Sequence, residues 1–448
     1  MQGGQGRGAH LEPGGIQVAG GYIPPAPPVA FAEALRVWFK IGCLGFGGPA
    51  GQIALMHRVL VDEKKWVEES RYLHALNFCM LLPGPEAQKL ATYVGWLLHG
   101  VRGGLAAGIL FVLPGALVML GVSLLYVLGQ GVPAVEGALF GIKAAVLVIV
   151  VEALLRIGRR ALKGRLLVGI AALAFVGIFF LDLPFPLIVA AAGAAGFFTT
   201  LQSQTPTSPA PGRWGQAARY AAVGMALWVA PIALVLLALG SGHVLFDIAA
   251  FFSKLALVSF GGAYALLAYM AQQAVENYQW MTAPEMVDGL GLAETLPGPL
   301  IKVTQFVGFL AAWRDPAPFS PLAAGVLGAA LTTWVTFALP MMLIFVGAPF
   351  IEQLRSNQRL SGALAAVTAA VVGVILNLTI WFALHVLFAR VVETRAGPLR
   401  WYAFDVATLD WKAAVLALVA AVLMLRLHRG LVETVAVMAG LGLLLRLI

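Results

Sequence analysis

Charge is scarce in this sequence. Asp, Glu, Lys and Arg make up 11% of its 448 residues, against about 25% in an ordinary water-soluble chain. So little polar surface cannot cover a globule in water, which excludes a soluble enzyme or scaffold. Cysteine is nearly absent as well. Cys43 and Cys79 both lie in apolar stretches without the spacing of a metal site, so they read as packed thiols and not as redox or metal centres. His57, His74 and His99 share no helical spacing with carboxylates, and neither a His-x-x-x-His helix nor a Gly-x-Ser-x-Gly turn occurs. No catalytic residue, metal or cofactor is therefore expected. A basic domain is missing too. The net charge is +8, but the basic residues are scattered at the ends of apolar runs; they read as topology signals, and nucleic acid is not an expected partner.

What is present is apolar. Hydrophobic residues make up 60% of the chain, and the mean hydropathy is +0.89. Runs of roughly 18 or more apolar residues, each long enough to cross a hydrocarbon core of about 30 Å, recur from Leu35 onward. The expected fold class is an all-α polytopic membrane protein whose solvent is the lipid bilayer. Segments are placed near 34–60, 72–99, 104–128, 135–156, 165–181, 184–200, 219–240, 247–271, 286–312, 321–348, 362–388, 411–427 and 431–447, about thirteen in all. Pro83-Gly84-Pro85 and Pro297-Gly298-Pro299 interrupt the segments starting near 72 and 286, which are thus candidates for re-entrant stretches.

Residues 1–30 are rich in Gly and Pro, lack the apolar core of a secretory signal, and read as a disordered tail. The first repeat is expected over 31–200, a Pro/Ser/Thr linker over 201–218, and an extra helix plus the second repeat over 219–448. The short loop with Arg156, Arg159, Arg160, Lys163 and Arg165 carries no acid, so the positive-inside rule puts it in the cytoplasm. Propagating that choice puts the N-terminus inside and the C-terminus outside, with Arg390, Arg395 and Arg400 as the exceptions.

The two halves repeat each other. A shift of 214 positions lays Lys40 on Lys254, Phe46-Gly47-Gly48 on Phe260-Gly261-Gly262, Trp66 on Trp280 and Pro83-Gly84-Pro85 on Pro297-Gly298-Pro299 without a gap. With an insertion, Leu113-Pro114 meets Leu339-Pro340. Register kept by Gly, Pro and Trp indicates duplication better than shared Leu and Val does. An odd number of crossings between equivalent points makes the repeat inverted, the architecture in which interrupted helices of secondary transporters meet near the midplane.

Helix breaks can supply chemistry. Pro49, Pro85 and Pro299 suit helix starts, so the amides after Gly48, Gly84 and Gly298 are candidate anion donors, each at the positive end of a helix dipole. The alternative is that these motifs only kink or pack helices. Gly47, Gly48, Gly84, Gly261, Gly262 and Gly298 are the candidate backbone contacts; Lys40 and Lys254 lie two turns before the Gly-Gly breaks, for substrate or for snorkelling to an interface. Gln88, Lys89, Lys302 and Gln305 follow the Pro-Gly-Pro turns and are within reach of an oxyanion. Glu86 has no acidic counterpart, since Leu300 takes its place. Lys143 sits mid-run opposite the neutral Thr368; it neutralises substrate, couples a proton or pairs with Glu136 or Glu152. Glu294, opposite Met80, is a second coupling candidate.

The run Phe46-Gly47-Gly48-Pro49, Leu82-Pro83-Gly84-Pro85, Leu113-Pro114-Gly115, Ser259-Phe260-Gly261-Gly262 and Leu296-Pro297-Gly298-Pro299 resembles, as an ordered set, the chromate ion transporter family in its two-domain, long-chain form. The resemblance covers roughly Phe31 to the C-terminus. It implies a protein of the cell inner (plasma) membrane that exports chromate from the cytoplasm, driven by the proton-motive force and conferring chromate resistance. A sulfate or other oxyanion porter is the alternative, and a membrane-embedded enzyme a more distant one. The partners expected are a chromate or sulfate-like oxyanion, the bilayer and, as an open alternative to a monomer, a second copy in a homodimer. Ala263 replaces the proline found at Pro49, so the two halves of an anion site would be unequal.

Overall fold

The computed structural model describes residues 16–18, 21–23, 29–46, 48–199, 214–259, 263–348 and 358–447. Most of the expected tail lies outside them; within it, β1 (Ile16–Val18) and β2 (Gly21–Ile23) pair antiparallel. In chain order the described helices are α1 (Phe31–Leu44), α2 (Gly48–His57), α3 (Glu69–Leu81), α4 (Glu86–Leu128), α5 (Pro133–Ala161), α6 (Arg165–Phe179), α7 (Phe185–Thr199), α8 (Trp214–Leu239), α9 (Val244–Leu257), α10 (Ala263–Gln272), α11 (Ala283–Thr295), α12 (Val303–Arg314), α13 (Pro321–Gly347), α14 (Gln358–Leu387), α15 (Trp411–Ala421) and α16 (Leu431–Leu447). Between α14 and α15, β3 (Val391–Ala396) and β4 (Leu399–Phe404) form a hairpin. Residues 201–213 of the expected linker lie outside the described residues, and Trp214 to Ala218 belong to the first turns of α8.

The repeat is visible in the element boundaries. Shifted by 214, α3 falls on α11 residue for residue. The breaks before α2 and before α4 recur before α10 and before Leu300, where a short 3-10 turn leads into α12. α8 has no counterpart, and its exposed Leu234 and Leu237, at 67% and 85%, suit a lipid-facing helix.

Four expected segments are each two short helices. In 34–60, Lys64, beyond the far end of α2, lies 2.7 Å from Glu33 in the first turn of α1, so the pair doubles back at its break. In 72–99, the rings of Phe78 and Tyr93 meet across the Pro-Gly-Pro turn with centroids 5.4 Å apart. In 247–271, Phe251 meets Tyr269 at 5.9 Å. In 286–312, a Cβ on Gly289 would lie 2.4 Å from the Phe306 ring. Proline without an amide donor ends the ladder at each Pro-Gly-Pro, and the following helix starts in a new direction.

Among the described residues five helices are long and apolar enough to cross a membrane: α4, α5, α8, α13 and α14. α4 is itself folded. His99 and Gly100 leave the helical region, and a Cβ on Gly95 would lie 2.4 Å from Gly103 O and 2.5 Å from Ala107 Cβ. In a straight helix residues 95 and 107 would be roughly 18 Å apart, so α4 is a hairpin whose arms close through glycines. α12 and α13 pack in the same way, with Gly328 against Gly308. The second arm of α4 runs antiparallel to α13, as Gly104 meets Phe345 and Gly108 meets Met341.

The halves share one core. α14 packs along α6 and α7, while the corresponding α5 packs along α15 and α16. The β3–β4 hairpin accounts for two of the exceptional arginines: Arg395 pairs with Asp182 and Glu393 at 2.6 Å each, and the buried Arg400 pairs with Asp182 at 2.8 Å. Acids from other segments neutralise these cations, so they carry little weight as topology signals.

Candidate anion site at the paired helix breaks

The breaks of the two halves meet. Gly84 N donates to Ser259 O at 2.8 Å, and Gly298 N donates to Gly45 O at 2.9 Å. Gly84 corresponds to Gly298 and Gly45 to Ser259 under the 214-residue shift, so these bonds are one contact made twice across a pseudo-twofold axis. Gly84 and Gly298 have φ of +107° and +93°, which only glycine adopts without strain. Both are crowded as well: a Cβ on Gly84 would lie 2.3 Å from Pro340 Cγ, and one on Gly298 3.2 Å from Gly115 Cα. The buried Gln52 adds an unpaired clasp, its Nε2 donating to Gly298 O at 2.6 Å and Gly45 O at 3.1 Å.

A small cavity opens at this meeting point. Pro49, Gln52, Gly84, Pro85, Glu86, Ser259 and Pro299 are among its walls, and its volume is about 20 Å³, enough for about one water centre. It is bordered by the starts of α2, α4 and the Leu300–Lys302 turn, whose first-turn amides have no helical partner. A tetrahedral oxyanion is larger than one water and requires the walls to part.

Two fully buried lysines set the electrostatics. Lys89 donates to Leu82 O, and Lys302 donates to Leu296 O at 3.0 Å and Gly298 O at 3.2 Å. Leu82 and Leu296 are equivalent positions at the ends of α3 and α11. At a break, the roughly −0.5 end of one helix adjoins the roughly +0.5 start of the next, and an anion would feel almost nothing. An ammonium on the carbonyl end adds about one positive charge at each break, about two in all before the carboxyls of Glu86 near Lys89 and Glu294 near Lys302 are counted. The Glu86 carboxyl in the wall opposes this in part.

The sequence candidates separate into groups. Gly84 and Gly298 form the site, with Lys302 anchored on Gly298. Gln88 is fully buried behind it, donating to Phe337 O at 3.3 Å with its Oε1 unpartnered. Gly48 starts α2 with φ +65° and nothing within 4 Å of a Cβ. Gly47, Gly261 and Gly262 lie outside the described residues. Lys40 is exposed on α1. Lys254 lines a different cavity with Asp182, Gln272, Glu276 and Arg395, 6.0 Å from the Tyr269 ring. Glu294 is buried on α11 before the break and is not among the walls of the small cavity. Lys143 pairs with Asp288 at 3.2 Å, a partner that was not among the sequence candidates Glu136 and Glu152. Sequence reasoning missed Asp288 because its partner is 145 positions away, and Gln52 because a lone amide in an apolar run carries no signal.

Doubled-back short helices meeting inside a bundle of long apolar helices define a polytopic membrane transporter with a paired helix-break site. The chromate transporter family matches residues 32–197 and 246–445, one stretch in each half, and the chain belongs to that family. It is 35% identical over 364 residues to a chromate transport protein of Pseudomonas aeruginosa, covering 78% of this chain and 80% of that one. It is 26% identical over 361 residues to one from Cupriavidus metallidurans, covering 80% and 84%. A probable chromate transport protein of Synechococcus elongatus is 27% identical over 351 residues, covering 78% and 84%. No solved structure matches the chain.

The contact geometry predicts that Gly84→Ala destabilises the protein by about 2–4 kcal/mol, since it combines a positive φ with a clash on Pro340. Gly48→Ala, strained but unobstructed, costs about 1 kcal/mol. Thermal unfolding in detergent checks this; equal losses for the two would show that the Gly84 contact is not tight.

Proposed function

We propose that this chain moves chromate across the cell inner membrane through the paired helix breaks. The observation that carries the reading is the reciprocal Gly84–Ser259 and Gly298–Gly45 contact, which sets two helix starts around one cavity, with a buried lysine on the carbonyl end of each break. The names of the relatives supply the substrate. A dianion is complementary in charge to the ammonium groups of Lys89 and Lys302 at the two breaks. Backbone amides and lysine do not by themselves separate chromate from sulfate, so sulfate is the second reading.

In the proposed topology α1–α2, α3 with the first arm of α4, α9–α10 and α11–α12 enter the bilayer half-way and return. The second arm of α4, α5, α6, α7 and α8 then give five crossings between α1 and α9, an odd number, which inverts the second half. The antiparallel packing of the second α4 arm on α13 supports this inversion. The total is nine crossings, fewer than the expected thirteen, with the N-terminus still cytoplasmic and the C-terminus outside. Export is the electrically favoured direction. With the inside negative, about 2.3 kcal/mol per charge per 100 mV gives about 4.6 kcal/mol for a dianion. Proton coupling and chromate resistance belong to the same reading.

Proteoliposomes of the purified protein should accumulate chromate when the potential favours it, with sulfate competing. Lys302→Gln, which leaves one break nearly neutral, should weaken chromate binding about five- to 150-fold, the equivalent of about 1–3 kcal/mol, while Lys40→Gln leaves it unchanged. The reverse pattern would move the site to the Gly-Gly breaks, and absence of chromate flux would sink the reading. Single cysteines placed at residues 1 and 448 should label from opposite faces; labelling from one face would remove the inverted topology.

A further inference from the structure

A second polar cluster lies away from the helix breaks. Asp288, on α11 and 3% exposed, is 3.2 Å from Lys143 on α5 and accepts a 2.9 Å hydrogen bond from Tyr126 on α4. Its other oxygen, Oδ1, is buried without a hydrogen-bond partner. The three residues form one wall of a cavity of about 450 Å³ that also includes Gln130, Glu136, Leu139, Pro284 and Glu285. In the proposed topology this cavity lies on the outer side, next to the α4–α5 turn at Gly129 to Gly131. The charged and titratable groups around Asp288 are Lys143 and Glu136 of α5, Tyr126 of α4 and, on its own helix, Glu285, which is held by Arg314 of α12.

An acid in this place is unexpected as mere packing. A buried carboxylate–ammonium pair recovers its desolvation cost only when its remaining lone pairs are satisfied, and one Asp288 oxygen is not. A cavity large enough for many waters gives that carboxylate a route to protons. The cluster also joins the two halves, because Tyr126 of α4 and Lys143 of α5 belong to the first half and Asp288 of α11 to the second. From Asp288, α11 runs eight residues, roughly 12 Å, to Leu296, the carbonyl that Lys302 caps beside the anion site.

We infer that Asp288 is the proton-binding site of this transporter, loaded from the outer cavity, and that Lys143 and Tyr126 are its positioning residues. This inference rests on the transport reading above. The step is a simple protonation: one proton from the outer aqueous phase binds the Asp288 carboxylate, no other bond is made or broken, and the charge attraction to Lys143 is lost. α11 is then less firmly held to α5, and the break at its far end is free to shift. Protonation outside is thereby linked to the state of the anion site.

The test uses the full-length protein in proteoliposomes, with a pH dye to record proton movement and chromate flux measured over a range of pH. For the wild type, chromate flux is accompanied by proton movement and follows a titration curve. Asp288→Asn keeps potential-driven chromate flux, loses at least about tenfold of the proton movement per chromate, and flattens the pH profile. Lys143→Gln displaces the profile by about one pH unit or more, because the neighbouring charge is gone. Proton movement per chromate unchanged in Asp288→Asn overturns the inference. If that variant does not accumulate, Lys143→Gln and Tyr126→Phe decide, and wild-type pH profiles in both overturn it. A wild type that moves chromate without protons refutes this inference and spares the transport reading; one that moves no chromate refutes both.

Discussion

In lipid, an unpaired backbone amide or carbonyl costs several kcal/mol, and broken helices survive only where their ends find partners inside the protein. The structure depends on the way that constraint is met. Each half interrupts its ladder at a Pro-Gly-Pro and ahead of a second short helix, and the ends of one half are satisfied by those of the other: Gly84 on Ser259 and Gly298 on Gly45. Lys89 and Lys302 satisfy the remaining carbonyls at Leu82 and Leu296. Neither half could hold its breaks alone. The same bonds that make the fold possible leave the first-turn amides of α4 and of the Leu300 turn beside the small cavity, so the proposed anion site is a by-product of closing the fold.

This arrangement also explains the cost the protein bears. Two ammonium groups in the core are expensive unless they answer a specific charge. Each does so by cancelling the negative end of the helix before its break, and the positive start of the following helix is then unopposed. Two dipoles that would have cancelled become an attractive site for a dianion, with Glu86 as the single opposing charge in the wall. In the second polar cluster the logic is different. There a carboxylate and an ammonium already pair, and one carboxylate oxygen is left over.

Much of this was legible in the sequence, for physical reasons that differ by residue. Pro-Gly-Pro announces a helix break wherever it falls, and its recurrence at a fixed shift marks Gly84, Gly298 and Lys302 as break residues in the sequence itself. The element boundaries of α3 and α11 follow that shift to the residue. Depth in the bilayer was not legible. An apolar run of 27 residues, such as 34–60, reads as one crossing, and only the Glu33–Lys64 pair reveals that it doubles back. Long-range partners were hidden for the same reason: Lys143 with Asp288 and Arg400 with Asp182 join segments that no periodicity connects. The equivalence of Lys40 and Lys254 pointed to a shared role at the breaks, yet both are exposed, Lys40 on α1 and Lys254 on α9 where it lines a separate cavity. Repeat symmetry preserves a residue's register without saying which way it faces.

The central claim is that the anion sits where the breaks of the two halves meet. The most direct measurement is a structure of the protein with chromate bound, in which the anomalous scattering of chromium marks the ion whatever the quality of the surrounding density. The account predicts one chromium between the Gly84–Ala87 and Gly298–Ile301 stretches, with oxygens in hydrogen-bond reach of their free amides and the walls of the small cavity moved apart. Chromium found beside Lys254 or in the Lys143–Asp288 cavity, with the paired breaks unoccupied and still joined through Gly84–Ser259 and Gly298–Gly45, would contradict it.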